Sequence, residues 1–425
     1  MSLCTRSCSA LVVLLVVLEA NAVWAENWPQ WRGPLNNGTT TETQLPVKWS
    51  ATEGLVWKLK LPGPAGATPV VWNDRIFLTS ANENGDLLLL AVSTEGKILW
   101  ERQVGGGDKT VRGDEGNSAS PSPVTDGKHV WTFMANGELA CFDFDGKEIW
   151  HENINDRYGK LDIAFGMTSS PVLDGDRIYL QLLHTGAALV VALDKSTGKE
   201  IWKQERKSDA KAECLHSYAS PLIYRDPTNA FLLTHGADYV VAHRLNDGTE
   251  LWRCGGLNLP SKYNNTLRFV ASPGFTPGLI VVPSAKNGPV LGLRPTGKGD
   301  ITTQASTHAW TRPQNTPDVP SPVVFGGLVY LCRENGLLIC LDAKTGEELY
   351  QERCFSDRYR ASPVVADGKV YVVSRKGVTT VVKAGRKFEI LSTNDLEDAV
   401  SASPAFSNHR LYLRGFDNLY CIGKK

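Results

Sequence analysis

The sequence predicts an all-β fold: an eight-bladed β-propeller of four-stranded antiparallel blades, the last blade closed by an N-terminal strand. Three observations predict it. The segment 192–202 (ALDKSTGKEIW) recurs in related form at 91–100, 141–150, 242–252 and 340–350, each copy ending in Trp or Tyr. A Ser or Thr followed by Pro marks each of eight units, and the prolines of successive marks stand 54, 48, 50, 52, 49, 41 and 41 residues apart, the length of one supersecondary unit. Within each unit, short alternating apolar runs are separated by hairpin turn residues, and no 3.6-residue periodicity appears.

The second unit shows how the elements follow. Pro123-Val124 begins strand A, because a proline is tolerated at the first residue of an edge strand. Asp126-Gly127 turns, and 129–134 alternates as strand B. Asn136-Gly137 predicts a two-residue hairpin with both central residues at positive φ. Strand C then spans 138–144, Asp145-Gly146 turns, and strand D ends at Trp150. Marks for strand D are expected at Trp57, Trp100, Trp150, Trp202, Trp252, Trp310, Tyr350 and Ile390 or Leu391. An aromatic at each position can lie against the next blade, burying about 150–250 Å² of ring surface.

The ends predict closure. The last unit holds strands A to C and stops, whereas Leu55-Val56-Trp57-Lys58-Leu59 reads as an isolated strand D ahead of the first Pro mark. Pairing them removes an open edge. Before that strand, residues 1–25 have Arg6, an apolar run at 10–18 and small residues at Ala22 and Ala25, the pattern of a secretory signal peptide. The expected organisation is a signal at 1–25, an extension at 26–54 and the propeller at 55–425, with no transmembrane segment once the signal is removed. The chain is thus expected to be exported, to the periplasm or beyond the cell.

Composition excludes several functions. The 425 residues carry 45 Lys+Arg against 45 Asp+Glu, which leaves no basic footprint for nucleic acid or an anionic membrane. The eight histidines show no i, i+2 or i, i+4 pair, so no metal site is written locally. Gly105-Gly106-Gly107-Asp108-Lys109 lacks the ending of a phosphate loop, and no Gly-x-Ser-x-Gly elbow occurs. Cys141, Cys340 and Cys421 share the strand-C position held elsewhere by Ala91, Ala192 and Ala242 and read as small core residues. Cys332 and Cys340 lie on opposite arms of one hairpin, where they could face each other.

The ALDKSTGKEIW run and its relatives resemble the tryptophan-docking repeat of the pyrroloquinoline-quinone (PQQ) type. That repeat occurs in quinoprotein alcohol dehydrogenases and in the outer-membrane assembly lipoprotein that scaffolds barrel insertion. The opening Asn27-Trp28-Pro29-Gln30-Trp31-Arg32-Gly33-Pro34 is similar to the start of secreted PQQ-like repeat proteins. The resemblance implies a propeller over most of the chain and allows PQQ with Ca²⁺ as a cofactor. The adjacent cysteine pair that accompanies PQQ in the dehydrogenases is absent, and the calcium ligands cannot be placed on residues of this sequence.

Candidate binding residues come from the polar segments between strand D and the next strand A, which gather at one mouth of a propeller channel. They are Arg112, Asp114, Arg157, Tyr158, His216, Tyr218, Tyr263, Arg268, Arg358 and Tyr359, in segments that also hold Asp318 and Arg360. The expected role is an exported, non-catalytic scaffold in the cell envelope that binds a protein or small molecule at this mouth. The alternatives are a PQQ-dependent oxidoreductase and an outer-membrane protein assembly factor.

Overall fold

The computed structural model describes residues 26–108 and 116–424. Its strands form eight sheets around a central channel. Each unit winds strands A to D outward from the channel. In blade 2 they are Val124–Thr125, His129–Phe133, Glu138–Asp143 and Glu148–Asn153, so strand D runs on past Trp150 instead of ending there. Blade 8 combines Ala405–Ser407, Arg410–Arg414 and Asn418–Ile422 with Leu55–Lys60 from the start of the ring. Trp57 lies opposite Cys421, so the ring closes as the two chain ends predict.

The register explains the residue pairs of the repeat. Ala91, Cys141, Ala192, Ala242 and Cys340 sit directly opposite Trp100, Trp150, Trp202, Trp252 and Tyr350. Only a small strand-C residue leaves room for the ring beside it. Each indole then reaches the next blade. Trp57, Trp100, Trp150, Trp202 and Trp310 donate their N–H to the carbonyls of Thr94, Phe144, Lys195, Leu245 and Ala343 at 2.8–3.0 Å. Each accepting carbonyl belongs to a C–D turn whose glycine lies under the ring.

At Gly248 the need for glycine is twofold. Its φ is +73°, and a Cβ there would fall 2.5 Å from the Trp202 ring. Gly248→Ala is therefore expected to cost about 1–3 kcal/mol through strain and displacement of that ring. Urea unfolding of the variant checks this, and an unchanged midpoint would contradict it.

Four expectations need correction. The Asn136-Gly137 hairpin has positive φ at Gly137 alone. The Gly137 N–H bonds the Met134 carbonyl at 2.9 Å, so Ala135 and Asn136 occupy an ordinary turn and the glycine follows it as a bulge. Cys332 and Cys340 do not face each other: Cys332 pairs with Leu338 and Cys340 with Tyr330, and both thiols are free. In blade 7 the position of the aromatic belongs to Ser392, which lies opposite Val381 as Trp202 lies opposite Ala192, while Ile390 lies opposite Val382. The extension fills the place instead. Ser392 and Asn394 donate to the Val47 carbonyl, and Trp49 is buried beside them. Finally, blade 4 has five strands, because Gly299–Asp300, from the long C–D connection of blade 5, pairs in parallel with Glu250–Cys254.

Candidate functional site

The Ser/Thr-Pro marks build the site. Each proline opens an innermost strand, where its missing N–H leaves no orphan donor on the channel wall. The residue before it is held extended, with its side chain toward the neighbouring blade. Around the channel, the N–H of each mark bonds the hydroxyl of the next. The donors Thr68, Ser122, Ser170, Ser220, Ser272 and Ser321 reach Ser122, Ser170, Ser220, Ser272, Ser321 and Ser362 at 2.9 Å. Ser362 reaches Ser403 at 3.0 Å, and Ser403 reaches Thr68 at 3.2 Å. The eight marks thus form one closed ring of hydrogen bonds.

Beneath the ring, the N-terminal segment crosses the channel. Trp28 exchanges two 2.8 Å backbone bonds with Val71 of blade 1, and the Pro29 carbonyl accepts from Thr125 of blade 2. Asn36 Oδ1 accepts the Ile223 N–H of blade 4, and Gly38 accepts from Val365 of blade 7. The segment therefore satisfies inner-edge groups that an empty channel would leave to water. At its centre Arg32 donates to the carbonyls of Pro322 (2.6 Å) and Pro363 (2.8 Å), which directly follow the ring residues Ser321 and Ser362. Arg32 is buried, and desolvation lowers its guanidinium to about 9, still a cation at neutral pH.

Above the ring lies a cavity of about 270 Å³ that opens between the D–A connections. Its floor is Trp31 and the hydroxyl ring, and its walls include Gly66, Phe165, Thr168, Tyr218, Arg268, Asp318 and Arg360. The Arg268 guanidinium lies 4.6 Å over the Phe165 ring and 3.2 Å from the Glu213 carboxylate. Phe165 and Tyr218 lie 6.1 Å apart, and the Tyr218 N–H bonds the Phe269 carbonyl at 2.9 Å. Burial pushes the Tyr218 phenol up to about 12, so it remains a neutral donor.

Among the candidate residues, Tyr218 and Arg268 line this cavity. Arg112 and Asp114 lie outside the described residues. Arg157 and Tyr158 are drawn to the outer seam of blades 2 and 3. There they end a short helix, Ile154–Tyr158, with the Tyr158 hydroxyl on Glu200 (2.8 Å) and Arg157 on Glu152 and the Gly198 carbonyl. Tyr263 donates to Asp238, and buried Tyr359 bonds the Phe355 carbonyl at 3.2 Å. Arg358 is exposed and away from the cavity lining. His216 is buried beside Thr185, 2.8 Å from its hydroxyl, and desolvation holds its pKa down. The ring serines, Phe165, Thr168 and Trp31 carry no charge or titration signal, and only the Ser-Pro repeat could have pointed to any of them.

Two other histidines titrate with the fold. Burial, then the Arg206 charge, pushes His235 down to about 3 and His243 to about 4. The unfolded chain protonates both near pH 6.5 and the folded chain does not. Their contribution is complete above pH 6.5 and is lost as pH falls toward 4, at a combined slope of about 2.7 kcal/mol per pH unit. Urea unfolding at pH 7 and pH 5 checks this. His235→Phe should remove about half of that histidine slope, and an unchanged slope would contradict the assignment.

The lining does not fit a calcium-bound quinone. Asp318 is the one carboxylate among the described residues lining the cavity, and its Oδ1 already accepts the Lys286 N–H at 3.1 Å. No group of three His, Cys, Asp or Glu among the described residues can hold a metal ion. No step is therefore assigned through PQQ.

The outer membrane protein assembly factor BamB family matches residues 23–180, 135–307 and 300–388. None of the curated proteins compared with the chain matches it. Among solved structures, BamB from Moraxella catarrhalis is 16% identical at a TM-score of 0.61, covering 87% of this chain and 97% of its own. A quinohemoprotein alcohol dehydrogenase from Comamonas testosteroni is 13% identical at a TM-score of 0.69, covering 94% of this chain and 81% of its own. A europium-containing methanol dehydrogenase is 12% identical, also at 0.69, covering 92% and 90%. At these identities the structures share the fold with this chain. The family match spans well over half of the residues, and the chain belongs to the BamB family of PQQ-type repeat propellers.

Proposed function

We propose that the chain is an exported, non-catalytic propeller of the cell envelope that holds a ligand in the blind cavity above the hydroxyl ring. The observation that carries this reading is the closure of the channel. A polar funnel sealed from below by Trp31 and Arg32 is a seat and not a passage. The lining supports binding over catalysis: among the described residues it contains no histidine, cysteine or lysine, and the Oδ1 of its carboxylate, Asp318, already accepts the Lys286 N–H. Export is supported by the leader-like residues 1–25, and the thiols are compatible with it. Burial pushes Cys141, Cys254 and Cys421 up to about 12, which keeps them protonated and inert in an oxidising compartment.

Gly66 offers a test, because it lines the cavity without positive φ and an added Cβ would stand 3.7 Å from its nearest neighbour, Ser120. Gly66→Phe therefore fills the cavity with little strain. Native mass spectrometry of the chain isolated from its envelope should show a bound small molecule in the parent and a loss of at least tenfold in occupancy in Gly66→Phe. A parent without adduct, or an adduct that Gly66→Phe retains, would contradict the reading.

A further inference from the structure

We infer that the cavity binds the anionic group of its ligand, a small oxyanion such as a sulfate, phosphate or carboxylate seated on the hydroxyl ring. The inference rests on the binding function proposed above and names the chemistry of that site. Three observations carry it.

The first is the polarity of the ring. Each hydroxyl spends one oxygen lone pair accepting its neighbour's N–H and keeps an O–H to donate and a second lone pair. Among the described residues, only Ser272 of the eight finds a protein acceptor for that proton, the Ser220 carbonyl at 3.2 Å. The others line the cavity with side chains at least nine-tenths buried. Hydroxyls rotate, so a circle of them can turn several O–H groups onto an oxygen-rich anion, which accepts several hydrogen bonds at once.

The second is Arg32. It is buried directly below the ring, its partners are the carbonyls of Asn37, Pro322 and Pro363, and no carboxylate among the described residues forms an ion pair with it. A buried cation without a counter-charge carries a large desolvation cost. An anion above the ring, with Trp31 between them, would offset it across a low-dielectric gap. The Arg32 guanidinium lies 5.8 Å from the Trp31 ring that floors the cavity, which places the charge close beneath the seat.

The third is the rim. Arg268 and Arg360 stand at the mouth with Asp318, and Glu213 pairs with Arg268 at 3.2 Å. The Asp318 Oδ1 and the Arg268 guanidinium are already engaged, which leaves the ring, with Arg32 below it, as the seat.

The test titrates the mature chain with sodium sulfate and sodium phosphate by calorimetry and thermal melting, against sodium chloride at equal ionic strength. One oxyanion per chain should bind, raise the melting temperature, and lose at least tenfold in affinity in Gly66→Phe. Arg32→Gln should weaken binding about tenfold while Arg32→Lys, which keeps the charge, retains most of it. Should Arg32→Gln fail to fold, Gly66→Phe still decides the question, because it leaves the ring and Arg32 untouched. Equal effects of oxyanion and chloride, or oxyanion binding that Gly66→Phe leaves intact, would overturn the inference. If the parent carries a neutral adduct that Gly66→Phe displaces and oxyanions do not, the binding function stands and the anionic assignment falls. If nothing occupies the cavity, both fall.

Discussion

A chain beginning at Leu61 is expected to lose its closed ring and to associate with itself. The missing strand, Leu55–Lys60, pairs with Asn418–Ile422, whose residues are all buried. Without it that edge opens, and an open apolar edge is a template for pairing with another chain. Trp57 goes as well. It links blade 8 to blade 1 through the Thr94 carbonyl, fills the space over Gly96 and lies 6.2 Å from the Tyr412 ring. Loss of the ring alone costs about 3 kcal/mol, and a ladder of this length at about 1 kcal/mol per bond brings the total to about 8 kcal/mol. That rivals the whole stability of an ordinary domain, about 5–15 kcal/mol. Size-exclusion chromatography with light scattering and urea unfolding check this. A chain beginning at Ala51 keeps the strand and should stay monomeric, although it loses the buried Trp28, Leu45 and Trp49. A monomeric chain from Leu61 that unfolds cooperatively within about 2 kcal/mol of the parent would contradict the closure account.

Asp398→Ala should be the most damaging single substitution in the loop that joins blades 7 and 8. This buried carboxylate organises the hairpin of blade 8. Oδ1 accepts the N–H groups of Phe416 (3.0 Å) and Asp417 (3.1 Å). Oδ2 accepts from the Asn418 N–H (3.0 Å), the Asn418 amide (3.1 Å) and the Tyr420 hydroxyl (3.0 Å). A Cβ at Gly415 would collide with the same oxygen at 2.2 Å, so the backbone is drawn in around the carboxylate. Burial and the carboxylate together push the Tyr420 phenol up, which keeps it a donor. Truncation to Ala orphans these donors in a site too tight to rearrange, at an expected cost of about 3–5 kcal/mol. Asp398→Asn keeps one accepting oxygen but turns an NH₂ toward backbone donors, and is expected to cost about 2–4 kcal/mol. Asp145→Ala, on an exposed turn, is the control and should stay within about 0.5 kcal/mol. Urea midpoints decide, and a loss below about 1 kcal/mol for Asp398→Ala would contradict the role.

The repeat was legible because its residues obey local rules. A proline marks an edge strand, a glycine marks the C–D turn, and in five units a small residue stands nine or ten positions before the aromatic. What those residues do together was less legible. The Ser-Pro marks read as punctuation along the chain, yet Ser122 and Ser170 touch only because eight blades close on themselves. The opening residues read as a characteristic start to the chain, but nothing local shows that Arg32 reaches carbonyls about 300 positions away.

The candidate residues divide on the same physical ground. Charge and polarity in a D–A connection do not say which way it folds. Tyr158 turned outward because its ring has an apolar seam to fill, beside Trp150 and Ile178. Tyr218 and Arg268 turned inward because Ser217 and Phe269 form a parallel bridge that aligns their two segments at the mouth. Blade 7 and the fifth strand of blade 4 escaped a repeat-based reading for a related reason. At both places a distant segment, Val47 to Trp49 in one and Gly299–Asp300 in the other, supplies what the repeat omits.

The most direct test of the central claim is a crystal structure of the chain isolated from the cells that make it, at a resolution that places ordered water. The account predicts non-protein density filling the cavity above Trp31, with an anionic group within hydrogen-bonding distance of the ring hydroxyls. Water alone in that cavity, with copurified material bound elsewhere on the blades, would contradict it.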